Sequence, residues 1–305
     1  MRVWAHRLIL SLIILIPLAV LAVILTGLAE PLTAYITGKH ASCSLLETLQ
    51  GREASMRQAT RFDYLKSASS VSLRESDGTE LWNTPDGPWW APSASGGAVL
   101  YDLAEQDRDI YRSASGVQSG DIVLDCGANV GVFVKKALSR GAARVIAIEP
   151  APENIAVLRK NFAAEIASGK VTIYEKGVWD KDDVLGMHID PADSARDSFV
   201  RQSEGAKDLR IPVTTIDHLV AELGLPRVDF IKMDIEGAER HAVAGARQTI
   251  QRFRPRMAIC VYHLSDDPQI IRAGVASIEQ RYRIGTGCLL IPPSVSAEVQ
   301  HFRPD

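Results

Sequence analysis

The sequence predicts an α/β fold, a doubly wound and mostly parallel sheet with helices on both faces. Three observations carry this. Apolar strand-like runs alternate with helical segments between about residues 99 and 291, the pattern that lays crossover helices over a parallel sheet. Ile122–Phe133 reads as a buried strand, a tight turn and a helix start. A second strand, Arg144–Ile148, delivers Glu149 24 residues beyond Asp125, near the interval of about 20 at which an acid reaches ribose hydroxyls in such folds.

The turn narrows the ligand. A dinucleotide fingerprint needs glycine at its first, third and sixth positions so that a pyrophosphate can lie on the backbone; here those positions hold Gly127, Asn129 and Val132. Asp-x-Gly-x-Asn-x-Gly instead suits an amino-acid-like ligand, with Asp125 receiving an ammonium and the turn amides, near a helix start, holding a carboxylate.

Leu-Asp-Cys-Gly-Ala-Asn-Val-Gly at 124–131 is followed by Ile-Glu-Pro-Ala-Pro-Glu-Asn at 148–154 and Ile-Lys-Met-Asp-Ile-Glu-Gly-Ala-Glu at 231–239. On these motifs, residues 99–292 resemble the class I S-adenosylmethionine-dependent methyltransferases, and more narrowly their FkbM family. The resemblance implies a Rossmann-like sheet whose last strand is antiparallel, and methyl transfer from S-adenosylmethionine to an acceptor hydroxyl. It implies cofactor contacts from Asp125, Gly127, Ala128, Asn129, Gly131, Glu149, Pro150, Val178, Trp179 and Asp234. Trp179 offers either a stacking face for adenine or core filling.

Around that domain the chain divides simply. Residues 1–7 are a short basic segment. Residues 8–28 carry no charge and, at 1.5 Å per residue, span roughly 31 Å, enough for an uncleaved single-pass membrane anchor, with a signal peptide and a buried helix as the alternatives. Arg2 and Arg7 place the N-terminus in the cytoplasm, which conflicts with the cytosolic source of S-adenosylmethionine and leaves the side of the membrane open. Residues 29–95 hold a linker helix, an Asp77-Gly78 hairpin and a cluster of Trp82, Trp89 and Trp90, readable as a stacking platform or as a lid packed on the domain. The methyltransferase domain takes 96–293, closing on a hairpin around Gly285, and 294–305 is a tail.

Net charge is −3 and the pI about 6.2, so the lysine and arginine footprint of a nucleic-acid binder is missing. Four cysteines lack any CxxC spacing and read as buried thiols. Nothing in the pattern sets an oligomeric state.

Asp234, Glu236 and Glu239 crowd the end of the strand Val228–Met233, where like charges must be separated, solvated or used. A further strand, Arg256–Val261, delivers Tyr262-His263 to the same edge. His263 is the expected general base, with Asp234 orienting it or the acceptor and Glu236 beside them. A divalent ion shared by Asp234, Glu236 and His263 is the weaker version, because no spacing here selects a metal. An insertion over 185–214, in short alternating strands, is the expected acceptor-specificity element. Sugars, polyketides, glycolipids and other lipids are all open as acceptors. Two further classes stay open, a membrane-tethered module that binds the cofactor without turnover and a nicotinamide-dependent oxidoreductase.

Overall fold

The computed structural model describes residues 27–40, 43–95, 97–111, 116–190, 192–202, 205 and 207–305. The chain divides into two compact units: residues 56–287 with 298–305 form one, and residues 27–55 with 288–297 the other.

In the larger unit, β1 (Ser70–Arg74), β2 (Thr79–Thr84) and β3 (Gly87–Pro92) form an antiparallel meander. Its first turn is the expected Asp-Gly turn: Asp77 Oδ1 accepts the Thr79 N–H at 3.1 Å, and Gly78 takes the left-handed conformation at φ 81°. The tryptophans pack rather than form a platform. Trp89 is 2% exposed, and the Trp90 backbone exchanges hydrogen bonds of 2.8 and 2.9 Å with the Asn161 side chain on the helix Pro152–Asn161.

The strands that follow are β4 (Ile122–Cys126), β5 (Arg144–Ile148), β6 (Val171–Tyr174), β7 (Gly177–Val178), β8 (Asp183–Ile189), β9 (Lys207–Thr214), β10 (Phe230–Met233), β11 (Arg256–Cys260), β12 (Tyr282–Ile291) and β13 (Ser294–Pro304). Seven form one sheet in the order β12-β13-β11-β10-β4-β5-β6. β11, β10, β4, β5 and β6 are mutually parallel, and β13 runs antiparallel to β11, as the resemblance implies. Val123, Leu124, Val145, Ile146, Phe230, Ile231, Met257 and Ile259 are fully buried. A strand covered on both faces has no polar side to show, which is why these segments read as unbroken apolar runs. From β4 the chain builds outward to β5 and β6, then returns to place β10 on the other side. That reversal opens a crevice at the carboxyl ends of β4 and β10. The insertion forms a second small sheet, β7-β9-β8.

Local chemistry fixes the helix ends. Thr215 accepts the His218 N–H at 2.9 Å and caps Ile216–Glu222. Pro152 and Glu153 open their helix, where a missing N–H costs nothing and an acid meets the positive dipole end.

Three expectations are corrected. The segment 294–305 is not a loose tail: β13 occupies 294–304 and lies inside the sheet, with Val299 and Phe302 fully buried. β12 runs unbroken through Gly285 and Gly287, so the terminal hairpin joins β12 to β13 rather than turning at Gly285. The four cysteines are not all thiols. In the smaller unit Cys43 is disulfide-bonded to Cys288, while Cys126 and Cys260 are free and buried. The same unit is fastened by Ser55, whose hydroxyl donates to the Leu290 carbonyl at 2.8 Å and accepts the Leu290 N–H at 3.1 Å.

The membrane anchor is also not supported. Among the described residues no helix is long and apolar enough to cross a bilayer, and the first, Ala29–Ile36, has 8 residues, about 12 Å of rise. The expected span 8–28 lies outside the described residues except for Gly27 and Leu28, and these two precede that helix rather than continue one. A single-pass membrane localisation is therefore set aside.

Candidate functional site

The turn after β4 is built by two glycines that nothing else can replace. Gly127 has φ 80°, and a Cβ there would meet the Asp234 carbonyl oxygen at 1.9 Å. The ends of β4 and β10 therefore touch through bare backbone. Gly131 has φ 97°, and its Cβ would lie 2.1 Å from the Phe162 ring. Between them Asn129, at φ 48°, takes the left-handed conformation that asparagine tolerates.

Four amides of this turn are already engaged within the protein. Gly127 and Ala128 donate to the Ile148 carbonyl at 3.0 and 3.1 Å, Asn129 to Glu149 Oε2 at 2.8 Å, and Gly131 to the Ala128 carbonyl at 2.8 Å. They fasten the turn to the end of β5.

Asp125 is likewise not free to receive an ammonium from a ligand, because the protein supplies one. Asp125 and Lys232 are direct neighbours in the β4–β10 register, and Lys232 Nζ lies 3.2 Å from Asp125 Oδ1. Nζ also donates to the Gly127 carbonyl at 2.6 Å. Burial pushes the Asp125 carboxyl up and Lys232 pulls it back. Against the same burial, Asp125 and Asp234 hold the Lys232 ammonium well above its usual range. Asp125 is fully buried and does not line the cavity; Lys232 does. Sequence reasoning missed Lys232, although a lysine inside the apolar strand Phe230–Met233 was itself a signal.

The crevice is a cavity of about 290 Å³. Gly127, Ala128, Asn129, Glu149, Pro150, Val178, Asp234 and Glu236, all singled out in the sequence, line it. Gly131 and Trp179 do not. Trp179 instead stacks on His241, ring centroids 3.8 Å apart, leaving Gly177 and Val178 as the surface at that point.

Glu149 is 4% exposed. Oε2 accepts the Asn129 amide at 2.8 Å and keeps a further lone pair for a hydroxyl, while Oε1 accepts the Ala151 amide at 3.0 Å and the Asn154 side-chain amide at 3.4 Å. The insertion contributes Met187, Asp193, Asp197 and Phe199.

Two further acids, Asp102 and Glu105 on the helix Ala98–Asp107, also face the cavity. Burial, with Asp193 and Asp234 nearby, pushes Asp102 up to about 7. Burial and Asp234 raise Glu105 well above the usual range, and burial alone raises Glu149 to about 7 against its amide partners. A ligand that brings positive charge relieves this crowd, and vicinal hydroxyls match the Glu149 carboxylate. A nucleoside bearing a sulfonium fits both demands.

At the other end, Asp234 is held by hydroxyls. Tyr111 donates to Oδ2 at 2.8 Å and Tyr262 to Oδ1 at 3.2 Å. Burial opposes its charge, but Lys232, then His263 and the Tyr111 hydroxyl, keep it below the usual carboxylate range. Glu236, at φ 54°, pairs with Arg201 at 2.6 Å. Glu239 is fully buried and accepts the Ile235 and Gly237 amides at 2.8 and 3.0 Å, so it fixes the turn beneath the other two acids.

His263 lies behind this group. Its side chain is 0% exposed, with Nδ1 2.9 Å from Glu239 Oε1, and it does not line the cavity. Burial disfavours its charge, yet Glu239, Glu236 and Asp234 together push it up to about 11. At neutral pH the ring already carries its proton, which removes the lone pair a general base needs.

Comparisons with known proteins agree with the motifs. The methyltransferase FkbM domain model matches residues 125–283. The chain is 29% identical over 201 residues to the 31-O-demethyl-FK506 methyltransferase FkbM of Streptomyces tacrolimicus, covering 56% of this chain and 76% of that one. It is 24% identical over 149 residues to the 2-O-methyltransferase NoeI of Sinorhizobium fredii, covering 44% of this chain and 60% of the relative. The crystal structure of methyltransferase FkbM from Methylobacillus flagellatus aligns with a TM-score of 0.47 at 20% identity, over 82% of this chain and 58% of that one.

Proposed function

Because the chain belongs to the FkbM family of methyltransferases, we propose that it moves the methyl group of S-adenosylmethionine to a hydroxyl oxygen of a small-molecule or carbohydrate acceptor. S-adenosylmethionine is the cofactor that goes with this family. The names of the two curated relatives specify O-methylation, which supports the hydroxyl as nucleophile. The observation that carries the proposal is the meeting of three strand ends on one cavity: the β4 turn, Glu149 after β5 and Asp234 after β10.

In this reading Glu149 holds the ribose hydroxyls, and the base lies against Gly177-Val178. The amino-acid part lies over Ala128-Asn129, where Lys232 supplies positive charge beside its carboxylate. The cofactor brings a methyl group already activated by the sulfonium. The protein aligns the acceptor oxygen with that carbon, excludes water and accepts the hydroxyl proton. Asp234 takes that proton, because it is ionised, lines the cavity and is aimed by Tyr111 and Tyr262. His263 is a positioning residue behind it.

Calorimetry and single-turnover transfer of labelled methyl test this. Glu149→Gln should weaken cofactor binding by about tenfold or more. Asp234→Asn should preserve most of that binding and slow transfer about 10²- to 10⁴-fold. Cofactor affinity unchanged in Glu149→Gln would remove the assignment.

A further inference from the structure

We infer that Asp234, Glu236 and His263 form a binding site for one hard divalent cation, of the Mg²⁺ or Mn²⁺ class, at the acceptor side of the cavity. The inference deepens the methyl-transfer reading and rests on it, since the cation would sit where the acceptor hydroxyl must lose its proton.

Three features of the group argue for it. First, one donor atom from each residue lies within 4.8 Å of the others, a spacing that a single ion can bridge. Asp234 and Glu236 both line the cavity, so an ion held there keeps coordination positions open to water or substrate. Second, the fully buried ring of His263 is aimed at the two carboxylates without satisfying either. Nε2 is 3.2 Å from Glu236 Oε1 and 3.5 Å from Asp234 Oδ1, and neither contact is aligned as a hydrogen bond. A buried polar atom left so is costly unless something further occupies the space between the donors. Third, the groups behind the donors are already fixed. Glu239, an ion-pair neighbour 2.9 Å from Nδ1, is itself locked by two backbone amides and so places a fixed carboxylate behind the ring. Arg201 takes Glu236 Oε2 at 2.6 Å and leaves Oε1 facing His263. Glu236 holds this direction at φ 54°, a backbone conformation that costs a non-glycine residue energy and so needs a compensating use.

The donor set selects the ion class. Two carboxylates and one imidazole, with no thiolate, suit a hard or borderline divalent ion that keeps bound water. Bound there, the cation takes the place of the proton that the His263 ring otherwise carries, and it polarises the acceptor hydroxyl and lowers the cost of its ionisation.

The test is a Mn²⁺ titration of the full chain after chelator treatment, followed by electron paramagnetic resonance without cofactor. One tightly bound Mn²⁺ per chain, displaced by Mg²⁺, is expected. Glu236→Gln and His263→Gln should each weaken it about tenfold or more, while the exposed Asp182→Asn should not. A free-ion signal undiminished by the unaltered protein overturns the inference, as does equal binding by Glu236→Gln, a cavity residue whose replacement leaves the core intact. Calorimetry of S-adenosylmethionine on the same samples separates the two proposals. Cofactor binding without Mn²⁺ binding removes only the cation site, and Mn²⁺ binding without cofactor binding removes only the methyl-transfer reading.

Discussion

Lys232 neutralises Asp125 from inside the protein, its ammonium 3.2 Å from the carboxylate across the β4–β10 pair. The first acid of the signature turn therefore acts on architecture: it holds the lysine that in turn holds the Gly127 carbonyl. Asp125→Asn removes the first of the two carboxylates that hold the buried ammonium, and the cost should be about 3–5 kcal/mol of stability. The double variant Asp125→Asn/Lys232→Met should recover part of that loss. Chemical denaturation of the three proteins checks it; single and double variants of equal stability would show the pair to be uncoupled.

Cofactor affinity should depend on pH through Glu149 and Asp102, both raised to about 7. The sign follows from their chemistry. A carboxyl raised in the folded protein is neutral below that point, and its ionised form accepts ribose hydroxyls more strongly and attracts a sulfonium. Affinity should therefore fall as pH drops below about 7, up to tenfold per unit for each required ionisation. The ligand-free protein should show the opposite trend, losing stability as pH rises through the same window, because buried carboxyls must then charge. Calorimetry from pH 5.5 to about 8.5, in buffers of different ionisation enthalpy, should record proton release on binding.

The pH–rate profile should lack a limb from a free imidazole near 6.5, because the three surrounding carboxylates push His263 up to about 11. Any acidic limb near 7 should move in Glu149→Gln. His263→Gln removes the positive charge that Asp234, Glu236 and Glu239 share, although Lys232 and Arg201 still face the first two, and should cost about 3–5 kcal/mol of stability. A limb near 6.5 that vanishes in His263→Gln would restore the histidine as base.

Gly127→Ala is expected to disable the site without touching a charged group. Its methyl would collide with the Asp234 carbonyl at 1.9 Å, and the left-handed backbone alone costs about 1–2 kcal/mol. Loss of cofactor binding with a lowered melting temperature is the expected outcome, read by calorimetry and thermal denaturation.

The sheet was legible because its strands are covered on both faces, so their apolar runs stand out without alternation. Glu149 and Asp234 were legible because each ends such a run, and the carboxyl edge of the sheet is where ligands meet it. What the sequence hid depends on contacts between distant segments. Lys232 meets Asp125 only through strand register, and Asp102 and Glu105 look like ordinary surface acids until their helix is laid over the cavity. His263 stands beside Tyr262, which lines the cavity, yet its own ring turns inward to Glu239. Trp179 turned away for a similar reason, since His241 and Phe199 offered it aromatic neighbours. The final strand is hard to read in the sequence because it follows a Pro-Pro pair and carries polar residues, several of them buried only by tertiary packing.

The bond between Cys43 and Cys288 closes a ring of chain 245 positions long. A protease that nicks any loop inside that ring produces two pieces that remain one molecule. On a denaturing gel they travel together until a reductant is added and then part, so reducing and non-reducing lanes of a single digest reveal which cuts fall within the ring.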